Sequence, residues 1–295
     1  MNWDDAKYFL AVARDGQMLG AAQRLNVSQA KLSRRIASLE AALNTKLLIR
    51  RTNGCELTEE GTALLEVTER IEAEFLDAQS KIKQTESSVS GTIRIGAPDG
   101  FGVAFLAQRL GQLATRFPNL HIQLVPVPRH FSLSQREAAL AVMIGRPDKG
   151  RLRAQKLSDY SLSLYASKSY LEQAGIPTQL NDLKDHILVG YVEDLIFTPE
   201  LNYNSEFLRG WASTIEVFSA MGQFETVRAG GGIGVLHDFI ANEHNDLVQI
   251  CPESRIISSY WTVWHESMRN AKRVTEVANF LDKIVREDRS MFLRA

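Results

Sequence analysis

The spacing of apolar residues in the first part of the chain predicts two helices joined by a tight turn. Residues 18–25 form the first helix, and residues 26–28 form the turn. A second helix follows, because apolar side chains recur there at 4-3-4 spacing and so share one face. The inward positions of the two helices are Leu19, Ala22 and Leu25, then Leu32, Ile36, Leu39 and Leu43. This arrangement is typical of a helix-turn-helix, whose second helix enters the major groove of DNA.

Polar and basic side chains occupy the other face of the second helix. Ser28 is the predicted N-cap, because its hydroxyl can accept a free backbone N–H. Gln29 has the geometry to pair with adenine, and Arg34 or Arg35 can pair with guanine or a phosphate. The predicted DNA contacts of this stretch are Ser28, Gln29, Lys31, Ser33, Arg34 and Arg35.

Two further elements complete this predicted module. Residues 3–13 carry an apolar helical stripe that packs beneath the two helices, and Gly16 ends it. Residues 47–49 and 56–57 form a two-stranded wing, because the Asn-Gly pair at 53–54 is a strong hairpin signal. At its shoulder, arginines can reach a phosphate or a narrow minor groove, or they belong to a solvated loop. The predicted contacts there are Arg50, Arg51 and Thr52.

A long helix is predicted from residue 59 to about residue 86. Thr58 caps it, and acidic residues in its first turn suit the positive end of the helix dipole. Its apolar residues recur at alternating spacings of four and three, which favours pairing with a second copy, or packing on the same chain as the alternative. The predicted dimerisation residues are Leu64, Ile71, Phe75 and Ile82. Residues 85–91 are small and polar and form a hinge.

The pattern then changes to strands that alternate with helices. Strands are predicted at 92–98, 120–127 and 140–144, and then near 162–166, 187–189, 215–218, 233–236 and 259–265. Helices are predicted at 103–117, 168–174, 219–229 and 272–287. This order predicts parallel α/β units with right-handed crossovers. Two such lobes leave a cleft, in which a ligand sits beyond the carboxyl ends of the strands.

The loops at these strand ends supply the candidate ligand-binding residues. Arg129, His130 and Arg146 are polar groups that can face the cleft, or they are solvated loop residues. The glycines around 231 can offer backbone N–H groups to an anion, or they only allow a tight turn. The full set is Asp99, Gly100, Phe101, Arg129, His130, Gly145, Arg146 and Gly231.

Composition and charge restrict the classes of function that the chain can have. Residues 1–57 carry nine Lys and Arg against five Asp and Glu, a net charge of +4, whereas residues 58–90 carry three against eight, a net charge of −5. The basic part can attract a phosphate backbone, while the total charge of −1 argues against a nonspecific architectural DNA binder. The histidines show no paired spacing typical of a metal site, and the chain has no nucleophile elbow and no nucleotide-binding fingerprint. We therefore predict no catalytic residue, metal or cofactor.

Location in the cell follows from three features. No apolar run approaches the roughly 20 residues of a membrane helix, so no membrane partner is expected. The first residues lack the pattern of a secretory signal. Two cysteines, Cys55 and Cys251, imply no disulfide framework and fit a reducing cytoplasm. Cys55 lies in the predicted wing, where it is either an inert thiol or a redox switch.

The N-terminal pattern resembles that of the LysR-type bacterial transcriptional regulators. The resemblance runs from YFLAVARDGQMLGAAQRLNVSQAKLSRRIASLEAALNTKLLIRR to LTEEG and continues in TIRIG, REAALAVMIGRP and AGGGIGVL. It implies a multi-domain α/β protein with a winged helix-turn-helix, a long dimerisation helix and a C-terminal two-lobed effector domain resembling periplasmic binding proteins. It also implies that Gln29, Lys31 and Ser33 read bases and that Arg34 contacts the backbone. Many members hold an effector carboxylate with Ser or Thr where this chain has residues 99–101, and Asp99 repels a carboxylate unless it is paired.

These observations predict a domain plan. Residues 1–57 form the DNA-binding domain, residues 58–90 the linker helix and hinge, and residues 91–295 the effector domain. Lobe I comprises about 91–162 and 266–295, and lobe II comprises about 163–265.

The plan predicts a sequence-specific regulator of promoters whose activity is set by a small-molecule effector between the lobes. The expected partners are promoter DNA, further copies of the chain as a dimer of dimers, an effector and RNA polymerase. The alternative is an α/β ligand-binding protein or enzyme with an unrelated helical N-terminus.

Overall fold

The computed structural model describes residues 2–51, 54–83, 89–127, 138–147, 150–196 and 201–293. The chain divides into two compact units, Met1–Ser87 and Ser88–Ala295. Three predicted site residues, Thr52, Arg129 and His130, lie outside the described residues. The side chains of Arg50 and Ile82 lie outside them as well.

The first unit is a winged helix-turn-helix followed by a long helix, as predicted. Its elements are α1 (Trp3–Asp15), α2 (Met18–Arg24), α3 (Gln29–Leu43), β1 (Leu48–Arg51), β2 (Gly54–Leu57) and α4 (Glu59–Lys83). Strands β1 and β2 pair antiparallel and form the wing. Gly16 ends α1 in the left-handed conformation, with φ 69°, which glycine adopts without steric cost.

The core of this unit corrects two predicted inward positions. Leu19 is 56% exposed, because the buried positions of α2 are Met18, Ala21 and Ala22, so that Ala22 faces inward as predicted and Leu19 does not. Leu43 is the last residue of α3 and is exposed, whereas the three preceding stripe positions are buried. A short helix carries too few periods to fix the direction of its buried face from spacing alone.

The second unit is built on one mixed eight-stranded sheet with the order β4-β3-β5-β10-β6-β9-β7-β8. The strands are β3 (Gly91–Ala97), β4 (Leu120–Pro126), β5 (Leu140–Ile144), β6 (Leu152–Ser167), β7 (Leu188–Gly190), β8 (Ile215–Glu216), β9 (Ile233–His237) and β10 (Leu247–His265). The longer helices are α6 (Leu110–Arg116), α7 (Lys168–Ala174), α9 (Ala220–Arg228) and α11 (Lys272–Glu287). The short ones are α5 (Asp99–Phe101), α8 (Asn204–Phe207), α10 (Asp238–Ala241) and α12 (Arg289–Phe292).

The sheet is parallel in its two outer parts, which agrees with the predicted parallel α/β units, and antiparallel in its centre. Strand β3 pairs parallel with β4 and β5, and β7 pairs parallel with β8 and β9. The centre is antiparallel, because β6 pairs with β9 and β10, and β10 pairs with β5. Apolar alternation marks a strand but carries no information on its direction or partner.

Two long strands join the parallel parts. β6 and β10 pair with each other along most of their length, and each extends from one lobe into the other. Tyr260, Trp261, Thr262 and Val263 pair with β5, so this end of β10 belongs to the lobe of β3 and β4 and not to lobe II as predicted. The helical segment after β3 begins at Asp99, four residues before the predicted start, and runs through a π-helical turn (Gly102–Leu106).

Candidate DNA-binding surface and ligand cleft

Helix α3 presents one buried and one exposed face. Ser28 caps it, because its hydroxyl accepts a hydrogen bond from the backbone N–H of Lys31 at 3.2 Å. Leu32, Ile36 and Leu39 anchor the inner face in the core. The exposed positions at the start of the helix are Ser28, Gln29, Lys31 and Arg34. The N-terminal turns of α3 therefore carry hydrogen-bonding and cationic groups on a rigid support, the arrangement that reads base edges.

The two adjacent arginines of α3 have different surroundings. Arg35 donates to the Asp5 carboxylate at 3.1 Å, and its guanidinium lies 5.9 Å from the ring centroid of Tyr8. These contacts hold Arg35 against α1. Arg34 is exposed and makes no ion pair with a residue that the structure describes. Arg34 is thus the more accessible cation of the pair for a phosphate oxygen.

Glu40 joins α3 to the base of the wing, a role that the sequence did not reveal. Its buried carboxylate accepts from the backbone N–H groups of Leu47 and Leu48 at 2.9 and 3.3 Å and from Lys46 Nζ at 2.7 Å. Burial raises the pKa of Glu40, but the hydrogen bonds from Lys46 and the two amides outweigh it and leave the pKa below its ordinary value. The wing therefore starts at a fixed position relative to α3.

Helix α4 divides into an inner and an outer part. Thr58 caps it by accepting from the N–H of Gly61 at 2.9 Å. Gly61 lies against the carbonyl oxygen of Leu47, where a Cβ does not fit, and Leu64 packs on the core of its own unit. Further along the helix, Ile71 is 40% exposed and Phe75 51% exposed. Among the described side chains, those in the first half of the predicted apolar stripe of α4 pack on their own chain. Ile71 and Phe75 lie further along the helix and remain available to a second copy.

Arg14 ties α1 to α4 close to these apolar positions. Its guanidinium lies 3.5 Å from the Glu69 carboxylate and donates to Glu72 at 2.9 Å. The Arg14 side chain is nine-tenths buried, so the pair is shielded from salt. The direction of α4 is therefore fixed relative to the helix-turn-helix.

In the second unit, Asp99 links the two lobes. Its buried carboxylate accepts from Ser219 Oγ at 2.6 Å and from the backbone N–H of Met221 at 3.2 Å. Ser219 also caps α9 by accepting from the N–H of Gly222. Asp99 begins α5 in one lobe, and α9 lies in the other. The carboxylate is thus paired, and it occupies the positive end of α9 that an anionic ligand would seek.

The interior behind this contact is aromatic. Phe101 is fully buried and packs against Phe105, Tyr260 and Phe292, with ring centroids 4.9–6.1 Å apart. A Cβ on Gly100 would lie 3.2 Å from the ring of His237. Gly100 and Phe101 are therefore part of the packed interior, and only a rearrangement of the lobes gives a ligand access to them.

His237 lies among these aromatic rings. It is stacked on Tyr160 with ring centroids 5.3 Å apart. Burial lowers the pKa of His237 from 6.5 to about 4, although the negative charges of Asp99 and Asp238 act in the opposite direction. The imidazole is accordingly neutral at pH 7.

Asp238, the next residue, binds three hydroxyl groups of β6. Its carboxylate accepts from Ser161 Oγ at 2.5 Å, Ser163 Oγ at 3.2 Å and the hydroxyl of Tyr165 at 3.0 Å. All four residues are buried. The sequence analysis did not predict this cluster. One sequence signal for it was present, because hydroxyl residues at every second position of β6 share one face of the strand.

The other predicted ligand residues are in different surroundings. The N–H of Gly231 donates to the carbonyl of Thr226 at 2.9 Å, and a Cβ there would lie 2.8 Å from the same oxygen. The structure thus favours the tight turn over an anion site at this glycine. Gly145 donates to the carbonyl of Ser259, and Arg146 is exposed with its guanidinium 5.7 Å from the ring centroid of Trp261. Trp261 packs on a small cluster separate from the core that contains Phe101.

Family models match both units of the chain. Residues 3–62 match the bacterial regulatory helix-turn-helix protein of the lysR family, and residues 86–285 match the LysR substrate binding domain. The chain belongs to the LysR family of transcriptional regulators. The prediction from the N-terminal motifs is thereby confirmed, as are the fold class and the function as a DNA-binding regulator.

Relatives and solved structures agree with membership of the LysR family. The regulator DmlR of Escherichia coli is 29% identical over 286 residues, which are 94% of this chain and 92% of DmlR. A regulator of Xanthomonas campestris is 30% identical over 62% of this chain, but the match spans only about half, 53%, of that protein. The structure of CrgA from Neisseria meningitidis covers 97% of this chain and 99% of its own, with a TM-score of 0.58 at 24% identity. At that identity the likeness concerns the fold.

LysR-type regulators bind promoter DNA, oligomerise and bind small-molecule effectors, and the family and the named relatives are transcriptional regulators rather than enzymes. Over the described ranges, no group of three His, Cys, Asp or Glu side chains is arranged to hold a metal ion. Within the same ranges, no helix has the length and apolar character to cross a membrane.

The buried His237 predicts a pH-dependent stability. In the unfolded chain this histidine takes up a proton near pH 6.5, whereas in the folded protein it stays unprotonated down to about pH 4. The unfolded state therefore binds more protons in this window, and stability decreases as the pH falls through it. We expect His237→Phe to reduce the loss of unfolding free energy between about pH 7 and pH 5 by about 2 kcal/mol, measured by urea titration. His121→Gln, at an exposed histidine, should leave that loss unchanged; an equal effect of both variants would contradict the assignment.

Proposed function

We propose that this LysR-type regulator acts on promoters as a dimer that reads two half-sites through the N-terminal turns of α3. The supporting observation is the contrast between the two faces of α3. Three buried apolar residues fix the helix, and its exposed face begins with an amide and two cations. Gln29 suits adenine, while Lys31 and Arg34 suit guanine or phosphate oxygens.

The remaining predicted DNA contacts have secondary roles in the proposed binding of DNA. Ser33 is half-buried on the same helix, and Arg35 is positioned by Asp5. In the wing, Arg51 is exposed and paired with Glu56 at 3.1 Å. Because an exposed ion pair is worth little, a phosphate can replace Glu56 as the partner of Arg51. Arg50 and Thr52 are proposed as further backbone contacts from the sequence alone.

We propose that the outer part of α4 forms the dimer interface. Ile71 and Phe75 lie one helical turn apart on an otherwise acidic helix, and burial of both is possible only against another surface. Leu64 contributes by packing at the base of the helix, and Ile82 extends the same stripe in sequence. The domain boundaries at 57/58 and 90/91 follow from this plan, with α4 as the linker.

The effector site is proposed where the two lobes meet at Asp99. Because the carboxylate of Asp99 joins α5 to α9, a molecule that replaces this contact changes the relation between the lobes. An effector acts only if it binds the two arrangements with different affinity. The LysG regulator of Corynebacterium glutamicum shares the fold, with a TM-score of 0.64 at 18% identity, and is described with bound effector Arg. Two dimers are proposed to assemble on the promoter and to contact RNA polymerase, in the cytoplasm where the promoter lies.

The salt dependence of DNA binding tests the role of α3. We expect Arg34→Ala to weaken binding to promoter DNA and to reduce the slope of log K against log salt by about 1, because one phosphate contact is lost. The measurement is fluorescence anisotropy with the full chain at several salt concentrations. Lys184→Ala, an exposed cation of the second unit, is the matched control and should leave the slope unchanged. If Arg34→Ala also retains the full slope, Arg34 does not contact phosphate.

A further inference from the structure

The N-terminus of α9 carries an anion that belongs to the chain itself. Ser219 caps the helix by accepting from the N–H of Gly222 at 3.0 Å, and its hydroxyl donates to the Asp99 carboxylate at 2.6 Å. The same carboxylate oxygen accepts from the backbone N–H of Met221 at 3.2 Å. With nine residues, α9 has aligned peptide dipoles that favour a negative charge at this end.

The Asp99 carboxylate is held without a cation. Its residue is only 7% exposed, and both groups that donate to it, a hydroxyl and an amide, are uncharged. It forms no ion pair with a residue that the structure describes. The charge of Asp99 is therefore stabilised by the end of α9, and the positive end of α9 is satisfied by Asp99.

The two lobes touch directly beside this carboxylate. A Cβ on Gly100 would lie 3.2 Å from Cε1 of His237 and 3.6 Å from Cβ of Ala220. Gly100 follows Asp99 in one lobe, whereas His237 and Ala220 belong to the other. An anion from solution can reach the end of α9 only if Asp99 leaves, and Asp99 repels that anion as long as it stays.

We propose that Asp99 is a specificity-determining residue of the effector site, whose side chain takes the place of an anionic ligand at α9. It bars small carboxylates from that position and holds the two lobes together without an effector. The effector of this chain is then a neutral or cationic molecule, because a second anion would meet Asp99 at close range. This inference deepens the effector site proposed at Asp99 and rests on it for its regulatory meaning.

Replacing the carboxylate of the chain by one from solution tests the inference on the full chain. Asp99→Ala leaves room for one formate ion, and formamide is its neutral counterpart of similar size. At constant ionic strength, we expect the thermal midpoint of this variant to rise by about 3 °C or more in formate at about ten times its Kd, and not to rise in formamide. The unaltered protein should not respond to formate, because Asp99 fills the position.

The amide of Met221 gives a local readout that a general loss of packing would not restore. It donates to Asp99 in the unaltered protein, so its hydrogen exchange is slow. Asp99→Ala should increase the exchange rate of the peptide around Met221 by about tenfold or more, and formate should slow it again. Mass spectrometry of the exchanged full chain measures this change.

Three further variants serve as controls. Asp99→Asn fills the position with a neutral amide and should not respond to formate. Asp99→Ser leaves similar room to alanine and repeats the test if the alanine variant does not fold. Asp182→Ala is the matched control, because its carboxylate also accepts from a hydroxyl and a backbone N–H, those of Thr178 at 3.1 and 3.0 Å. Asp182 is partly exposed and lies with Thr178 in one lobe, so formate should have no effect there.

The outcomes separate this inference from the proposed function. Equal stabilisation of the unaltered protein and of Asp99→Ala by formate would overturn the inference. So would formamide that acts as formate does, or the absence of a formate response in both the alanine and the serine variant. None of these measurements contains DNA or an effector. An effector site elsewhere in the chain would therefore contradict the proposed function and leave the formate response unchanged.

Discussion

Replacing Ile71 and Phe75 together by glutamate should convert the regulator into a monomer and lower its affinity for a two-half-site promoter by about 100-fold or more. Both side chains are largely exposed on α4, and both lie beyond the part of the helix that packs on its own unit. Charges at these positions prevent burial against a second copy. A monomer engages one half-site only, so the gain of about 10²–10⁴ from linked binding is lost.

Sedimentation equilibrium and anisotropy with promoter DNA measure the two effects. Ile176→Glu is the matched control, because it places the same charge on an isoleucine that is 67% exposed in the other unit. That control should remain oligomeric and bind DNA normally. A double variant that still sediments as a dimer and binds with the original affinity would remove Ile71 and Phe75 from the interface.

Asp238→Ala should destabilise the second unit by about 4 kcal/mol. Three buried hydroxyls, those of Ser161, Ser163 and Tyr165, donate to this one carboxylate. Hydrogen bonds to a charged group contribute roughly 1.5–3 kcal/mol each, and buried donors that lose their acceptor keep the cost of desolvation. The loss should appear as a lower urea midpoint in near-ultraviolet circular dichroism, which reports the packed tyrosines.

The control for this variant is Asp246→Ala. Asp246 is exposed and pairs with Arg228 at 2.9 Å, a surface ion pair worth about 1 kcal/mol or less. We also expect Ser161→Ala to cost little once Asp238 is gone, because the two residues share one interaction. Equal destabilisation by Asp238→Ala and Asp246→Ala would show that the hydroxyl cluster does not stabilise the unit.

The local features of the fold could be predicted from the sequence. The Ser28 cap, the left-handed Gly16 and the Thr58 cap each depend on a few neighbouring residues, so short patterns identify them. The apolar stripe of α3 was correct at Leu32, Ile36 and Leu39, because this helix is long enough for its period to be clear.

Contacts between distant parts of the chain could not be predicted. The partner of Asp99 lies 120 residues further on, at Ser219, and no local pattern specifies that pair. The antiparallel centre of the sheet could not be predicted for the same reason, because β6 and β10 are separated along the chain by most of one lobe. The sequence analysis did indicate that Asp99 repels an effector carboxylate unless it is paired, and the structure supplies a hydroxyl and an amide as its partners.

A nuclease footprint of the full chain on the DNA upstream of its own gene and of the divergent neighbour tests the central claim most directly. Small metabolites are added in parallel lanes. We expect a long protected region with two patches, each with two-fold symmetry, and a shift of one patch when the effector is present. A folded, oligomeric protein that protects no part of this DNA at low salt would contradict promoter regulation through α3 at this site.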